Sequence, residues 1–128
     1  MKTVGDVMAR GLLTLTEDTP LTDAAAAMTA RSVGSALVVD GDRLIGIVTE
    51  RDVLRAVGSG GVDGPVRDWM TRHPETVDAD ESTQQAAVVM IHGGFRHLPV
   101  LEDGKPAGIV SIRDLMRVAL DDVSPRGV

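Results

Sequence analysis

Hydrophobic and polar residues follow a pattern in the first half of the chain that predicts its elements. A narrow apolar stripe at helical spacing, from Leu21 to Met28, precedes two short apolar runs over 35–39 and 44–48. These runs predict buried strands, and the turn residues Asp40-Gly41-Asp42 between them predict a hairpin. A helix over 52–57 follows. With a short helix over 4–8 and a short strand over 12–15 at the start, the main order is β-α-β-β-α.

The second half repeats this order at an offset of 62 residues. The clearest echo is between the stretches Gly46 to Asp52 and Gly108 to Asp114, and matching positions continue without a gap from Val4 and Val66 onward. One register kept through helix, strand and turn indicates an internal duplication. The second copy predicts helices over 66–70, 82–91 and 112–120 and strands over 76–77, 98–102 and 107–111. The predicted organisation is a first repeat over 1–60, a Gly-rich linker over 61–65, a second repeat over 66–122 and a flexible tail over 123–128.

Each echoed stretch predicts a buried strand that turns directly into a helix. Thr49 precedes Asp52 by three residues, and Ser111 precedes Asp114 by three, which is the spacing of a helix-capping box. Two other helix starts are predicted in the same way: Thr19 as the N-cap before Pro20 at the first helical position, and Ser82 with Gln85 as a capping box. The helix that begins at Thr19-Pro20 is predicted to end at Val33-Gly34.

Composition narrows the classes of function. The chain has 128 residues, a formal charge of -6, no cysteine and two aromatic residues, Trp69 and Phe95. Lack of cysteine excludes disulfides and thiolate chemistry, and the negative charge argues against nucleic acid as a partner. No apolar run reaches the roughly 18 residues of a membrane span, and the start lacks the apolar region of a signal peptide. We therefore expect a cytoplasmic protein without a membrane partner.

Candidate catalytic and metal chemistry is weak in this sequence. Ser111, His97 and Asp114 occur together in the second repeat, but no nucleophile elbow accompanies them, and no phosphate-binding P-loop occurs anywhere. His73 and His92 have no partner at metal-ligand spacing. We predict that the protein is not an enzyme, binds no metal and requires no cofactor.

Several motifs together resemble a known family over residues 4–120. They are the duplicated unit that ends in G-I-V-[TS]-x-R-D, the hairpin L-V-V-D-G-D and the D-V-M start. The chain resembles a tandem pair of CBS (cystathionine β-synthase) domains, the Bateman module. That resemblance implies an α+β fold in which two repeats pack through their sheets with pseudo-twofold symmetry and leave two clefts. It also implies a stand-alone regulatory module, an energy or metabolite sensor whose clefts bind AMP, ADP, ATP or S-adenosylmethionine.

The resemblance also assigns roles to residues at the two motifs. Asp52 and Asp114 match aspartates that accept hydrogen bonds from ribose hydroxyls, and Thr49 and Ser111 match hydroxyls beside ribose and phosphate. Arg96 and His97 occupy positions where some relatives place basic side chains against phosphate. Gly34 and Ser35 stand there in the first copy, so the two clefts are unequal. Further candidates are Arg51 and Arg113, which add charge near phosphate, and, for adenine, Leu15 with Leu44 or Val77 with Pro106.

Simpler interpretations stand beside these roles. Each capping motif is also consistent with a plain helix cap, Arg51 and Arg113 with ion pairs to Glu50 or Glu17, and Arg96-His97 with an exposed turn. The corresponding alternative function is a ligand-free dimeric scaffold that binds another protein. Both interpretations include a homodimer. The resemblance implies that the helices that follow the two motifs form the dimer contact. Their apolar residues are Val53, Leu54, Val57, Leu115, Met116 and Ala119.

Overall fold

The computed structural model describes residues 2–121, which form an α+β fold with two sheets. The predicted tail over 123–128 lies outside the described residues. The helices are α1 (Val4–Val7), α2 (Leu21–Arg31), α3 (Glu50–Gly58), α4 (Thr83–Gly93) and α5 (Ile112–Asp121), with a 3-10 helix at Val66–Asp68. The strands are β1 (Thr14–Leu15), β2 (Ser35–Asp40), β3 (Arg43–Thr49), β4 (Thr71–Arg72), β5 (Val77–Asp78), β6 (His97–Glu102) and β7 (Lys105–Ser111).

The two sheets are built on the same plan. One has the order β1-β2-β3-β4 and the other the order β5-β6-β7. In each sheet a short strand pairs in parallel with the next strand after a crossover helix, and that strand then pairs antiparallel in a hairpin. Both hairpins shift register at the same repeat position, between Val38 and Val39 and between Val100 and Leu101. The duplication therefore extends to this backbone irregularity.

The two hairpin turns explain why the strands pair where the sequence predicts. Two residues connect β2 to β3 and two connect β6 to β7. Gly41 has φ +61°, and Asp103 and Gly104 have φ of +52° and +78°. Backbone in this left-handed region favours Gly, Asn and Asp, which are the residues of tight hairpin turns. The predicted β-α-β-β-α order is confirmed in both copies.

Some predicted helix and strand limits are wrong. Helix α2 begins at Leu21 with Pro20 as its N-cap, because the Thr19 hydroxyl accepts a hydrogen bond from the Thr16 N–H instead. It ends at Arg31, because Ser32 adopts the left-handed conformation (φ 54°). The Ser82 hydroxyl accepts from Gln85 N as predicted (3.0 Å). The strand predicted over 12–15 is limited to Thr14–Leu15, that over 76–77 is Val77–Asp78, and the helix predicted over 66–70 is the 3-10 turn Val66–Asp68.

The chain forms two compact units that do not coincide with the two sequence repeats. Residues 2–10 belong to one unit with residues 75–121, whereas Gly11–Pro74 form the other. Each unit therefore contains the opening segment of one repeat and the body of the other. The same backbone bonds hold both segments: Val4 N to Glu81 O and Gly5 N to Ala79 O in one unit, and Val66 N to Thr19 O and Arg67 N to Glu17 O in the other, all 2.8–3.2 Å.

The two opening segments, residues 2–10 and 66–74, each pack with the body of the other repeat, and we call them the exchanged segments. They also add to the sheets. Thr71 and Arg72 form β4 beside β3, and at the equivalent place Ala9 forms a bridge with Ile109 of β7. The short strand β4 was not predicted, because two residues after a helical turn carry no alternating pattern. Helix α1 is capped by Thr3 and Asp6, and the hydrogen bond from Thr3 N (2.9 Å) lowers the pKa of the Asp6 carboxyl.

Each unit has its own hydrophobic core. One core is formed by Leu21, Ala24, Met28, Ala36, Val38, Val48, Ala56, Val66 and Met70, and the other by Val4, Met8, Val77, Ala86, Met90, Leu98, Val100, Val110 and Leu115. Val4 and Val66, one in each exchanged segment, are fully buried. The opening segments are thus part of the cores and not surface additions. None of the helices in the described range 2–121 is long and apolar enough to cross a membrane.

Candidate functional site

The two predicted motifs lie at equivalent junctions of a strand and a helix. We call the junction of β3 and α3, with Thr49 and Asp52, the first site, and the junction of β7 and α5, with Ser111 and Asp114, the second site. In both sites the aspartate turns back to cap the helix: Oδ2 accepts from the N–H of Thr49 or Ser111, at 2.8 Å in each case. The capping interpretation of both motifs is therefore correct. It accounts for one oxygen of each carboxylate.

In the second site one carboxylate oxygen is left without a protein partner. Oδ2 of Asp114 accepts from both the N–H (2.8 Å) and the hydroxyl (2.9 Å) of Ser111, and the Asp114 N–H donates to that hydroxyl at 3.1 Å. Among residues 2–121, Oδ1 has no hydrogen-bond or ion-pair partner. Asp114 is half-buried, so solvent reaches it only in part. The result is a rigidly held carboxylate with one acceptor oxygen available.

In the first site both carboxylate oxygens are occupied. Oδ2 of Asp52 accepts from the Thr49 N–H and hydroxyl (2.8 and 3.2 Å), and Oδ1 accepts from the Arg55 guanidinium at 3.0 Å. The same Arg55 nitrogen donates to the carbonyl of Trp69 (3.2 Å), and the guanidinium lies 5.6 Å from the centre of the Trp69 ring. Asp52 is buried, with 7% of its surface exposed. The two sites therefore differ in what covers the second carboxylate oxygen.

Sequence reasoning did not identify Arg55 and Trp69 as site residues. Arg55 has a counterpart at the same repeat position, Arg117, but Trp69 corresponds to Val7. No hydrogen bond or ion pair joins Arg117 to another residue in the part of the chain that the structure describes. The mismatch between Trp69 and Val7 in the two repeats could have indicated this contact, because a Trp ring attracts a guanidinium and a Val side chain does not.

The basic pair predicted for the second site lies beside it. His97 is directly opposite Ser111 in the β6–β7 ladder, and the Arg96 carbonyl accepts from Ile112 N (2.9 Å). In the first site Ser35 lies opposite Thr49 and is buried, and the Gly34 carbonyl accepts from Glu50 N (3.0 Å). The structure thus brings Arg96 and His97 to the second site, whereas the first site has Gly34 and Ser35 at the equivalent positions.

The two helix starts also differ in charge. The first residue of α3 is Glu50, whereas the first residue of α5 is the neutral Ile112. Arg51 and Arg113, which follow them, are both exposed. Glu17, considered as an ion-pair partner of Arg51, instead lies 3.8 Å from Arg72. An anion near the helix start therefore meets a more positive surface at the second site than at the first.

The residues predicted to hold adenine have different surroundings. Val77 is 2% exposed and belongs to a core, and Leu15 packs against the other core. Leu44 and Pro106 are half-buried at equivalent positions on β3 and β7, opposite Val39 and Leu101. Leu15, Leu44 and Pro106 are therefore the members of this set whose side chains stay partly accessible, whereas Val77 is buried.

The arrangement is suited to binding a polar ligand and has no recognisable nucleophile. The Ser111 hydroxyl donates to Asp114, a carboxylate that caps a helix, so it is oriented as a structural group. Within residues 2–121 no group of three or more His, Asp or Glu side chains is arranged to hold a metal ion. A carboxylate oxygen next to basic side chains can accept hydroxyl donors while the basic groups contact an anion.

Comparison with known proteins gives a consistent result. The CBS domain family matches residues 4–59 and again residues 66–121. An uncharacterized 17.7 kDa protein of Acidianus ambivalens is 42% identical over 103 residues, which cover 79% of this chain and 63% of that protein. The chain spans less than two thirds of the length of the curated relatives it matches.

Solved structures share the fold over nearly the whole chain. A protein with CBS domains from Burkholderia ambifaria has a TM-score of 0.91 and 33% identity and covers 99% of this chain and 100% of its own. A CBS domain protein from Pyrobaculum aerophilum, complexed with AMP, has a TM-score of 0.84 and 28% identity and covers 91% of this chain and 98% of its own.

Proposed function

The chain belongs to the CBS domain family, and we propose that it is a regulatory module, not an enzyme, that binds an adenosine-containing ligand such as AMP. The module senses energy state or metabolite level and passes the signal to a partner protein. Its effect on the partner is limited by the difference in ligand affinity between its two states. In keeping with the sequence, the proposal places the module in the cytoplasm.

The observation that supports this function most directly is the Asp114 carboxylate. A capping bond fixes Oδ2, while Oδ1 has no partner among the described residues. A carboxylate oxygen has two acceptor positions, so Oδ1 alone can accept from both hydroxyls of a ribose. Because the carboxylate is already oriented, little further ordering is needed on binding. This proposal combines the capping and ligand roles in one side chain.

The surroundings of Asp114 fit the rest of a nucleotide. Arg96 and Arg113 supply positive charge around the start of α5, beside His97, where backbone N–H groups also favour phosphate. Pro106 offers a half-buried apolar surface for adenine. The AMP complex of the similar Pyrobaculum aerophilum protein supports AMP as the first ligand to test. The other candidates are ADP, ATP and S-adenosylmethionine.

Thermal unfolding with and without nucleotides tests the proposal. A ligand that binds only the folded protein at about 100 times its Kd adds about 2.7 kcal/mol of stability. For a domain of this size we expect the Tm to rise by roughly 5 °C or more. The matched control is 2′,3′-dideoxy-AMP, which keeps the base and phosphate but lacks both ribose hydroxyls, and we expect it to leave the Tm nearly unchanged.

Two results would count against this function. If AMP and its dideoxy analogue raise the Tm equally, the ribose contact to Asp114 is wrong. If none of the adenosine-containing ligands raises the Tm at millimolar concentration, the ligand-free scaffold becomes the better hypothesis. In that case Asp114 is a helix cap only.

The module is further proposed to be a homodimer. Helices α3 and α5 expose large apolar side chains: Leu54 70%, Val57 58%, Met116 56% and Leu120 59%. Exposed apolar groups on amphipathic helices are typical of protein interfaces. Leu115 and Val53, expected at this surface from the sequence, instead contribute to the cores. The proposed interface therefore uses the outward residues of both helices.

Shortening Leu54 tests the homodimer. We expect Leu54→Ala to raise the dimer dissociation constant about tenfold, because loss of buried apolar surface costs about 1 kcal/mol or slightly more. Sedimentation velocity over a range of concentrations measures this constant. Gln84→Ala, at an exposed position of α4, is the control. A wild-type protein that sediments at the 13.5 kDa mass of one chain at all concentrations would contradict the proposal.

A further inference from the structure

We infer that Arg55 is a built-in competitor for ligand at the first site, so that the second site binds adenosine-containing ligands first and more tightly. The inference rests on the proposed function, because it concerns how the two sites divide the same ligand. It assigns to Arg55 and Trp69 a role in selecting the site, which neither the motif nor the repeat alone indicates.

The geometry places Arg55 where a ribose would bind. In the second site Oδ1 of Asp114 is available, and in the first site the equivalent oxygen of Asp52 accepts from Arg55 at 3.0 Å. A ribose hydroxyl that donates to this oxygen must displace the guanidinium or share the oxygen with it. The guanidinium also carries a charge, which makes it a stronger donor to a carboxylate than a hydroxyl.

Trp69 explains why the competitor acts in one site only. Its carbonyl accepts from Arg55 (3.2 Å), and its ring lies under the guanidinium, with 5.6 Å between the Arg55 carbon and the ring centre. These two contacts hold Arg55 over Asp52. At the second site Val7 replaces the tryptophan, and the ion pair between Arg117 and Asp114 is absent from the described residues.

The competitor is displaceable and does not block the site permanently. The Arg55 side chain is 56% exposed, and an ion pair at such a position contributes little because water screens it. We expect the ion pair and the cation–π contact together to weaken AMP binding at the first site about tenfold. The two sites then fill over different ranges of ligand concentration, so the module responds to a wider range than one site allows.

Trp69 makes the first site directly observable, because it is the only tryptophan in the chain. We propose to titrate AMP into the full chain carrying Asp114→Asn, which removes the second site, and to follow Trp69 fluorescence. Adding Arg55→Ala is expected to lower the Kd for AMP at the first site about tenfold. Arg117→Ala, at the same repeat position, is the matched control and should leave this Kd unchanged. A higher or unchanged Kd in Arg55→Ala overturns the inference and indicates that Arg55 contacts the ligand or has no role.

Calorimetry on the protein without Asp114→Asn separates this inference from the proposed function. If the wild type binds AMP and Arg55→Ala adds no tighter second event, only the competitor role is wrong. If neither protein binds AMP, both proposals fail. Trp69→Val, which copies the residue of the other repeat, gives a second test that keeps Arg55. We expect Trp69→Val to lower the Kd of the weaker AMP binding event, as Arg55→Ala does. An unchanged Kd would also overturn the inference.

Discussion

Replacing Gly108 with alanine is expected to destabilise the protein by about 1–3 kcal/mol, the usual cost of forcing extra atoms into a packed interior. An added Cβ would lie 2.7 Å from the Ala9 carbonyl oxygen and 2.6 Å from the Met8 sulfur. The methionine can move aside, but the Ala9 backbone is held by two hydrogen bonds to Ile109, at 2.8 and 3.0 Å. Relief of the clash must therefore loosen the exchanged segment itself. Chemical denaturation with urea measures the free energy of unfolding.

Two other glycines serve as graded controls for this substitution. Gly46 is the equivalent position in the other unit, where a Cβ would meet the flexible Met70 sulfur at 2.7 Å and the Thr71 carbonyl oxygen only at 3.0 Å. Gly46→Ala should therefore cost less than Gly108→Ala. At Gly11 an added Cβ meets nothing within 4 Å, so Gly11→Ala should be close to neutral. Equal stability of Gly108→Ala and Gly11→Ala would show that the opening segment is not held as described.

The variant Asp114→Asn is expected to weaken AMP binding at the second site about 10- to 100-fold, since hydrogen bonds to a charged group contribute about 1.5–3 kcal/mol. The substitution is nearly isosteric. The asparagine carbonyl can keep the bond from Ser111 N, which places the amide NH2 where Oδ1 stood. The ribose hydroxyls, which donate hydrogen bonds to the wild-type carboxylate, then face the amide NH2, which is itself a donor. Isothermal titration calorimetry measures the change in Kd.

Asp52→Asn is the matched control for the site assignment. In the wild type the Asp52 carboxylate already pairs with Arg55, so we expect Asp52→Asn to change the tighter AMP binding event, at the second site, only a little. The free energy of unfolding of Asp114→Asn should stay within about 1 kcal/mol of the wild type, because a helix cap is typically worth that much. A loss of binding without a loss of stability identifies a ligand contact. Equal effects of Asp52→Asn and Asp114→Asn on the tighter event would contradict the unequal sites.

The sequence predicted the fold well because the local signals agree with one another. The apolar runs, the Asp-Gly turns and the capping spacing of Thr49 with Asp52 all favour the same β-α-β-β-α order, and the structure has it twice. Helix limits were less predictable. Thr19 fits the preference for an N-cap, yet its hydroxyl bonds to Thr16 N in the preceding turn, which moves the helix start by one residue.

The parts that could not be predicted depend on contacts between residues far apart in the chain. Arg55 meets the Trp69 ring only because the segment that contains Trp69 packs in the unit formed by Gly11–Pro74. Periodicity reports which face of an element is apolar, but it does not report which segment covers that face. The same limitation applies to β4 and to the bridge between Ala9 and Ile109.

The exchange of opening segments has a consequence for the order of events during synthesis. The unit formed by Gly11–Pro74 is complete once Pro74 has left the ribosome, whereas residues 2–10, which are made before this unit, wait for their partner strand near Ile109. Residues 2–10 thus reach their place after the unit that follows them in the chain. The same arrangement suits a dimeric ancestor of one repeat, because each of two copies can pack its opening segment into the body of the other.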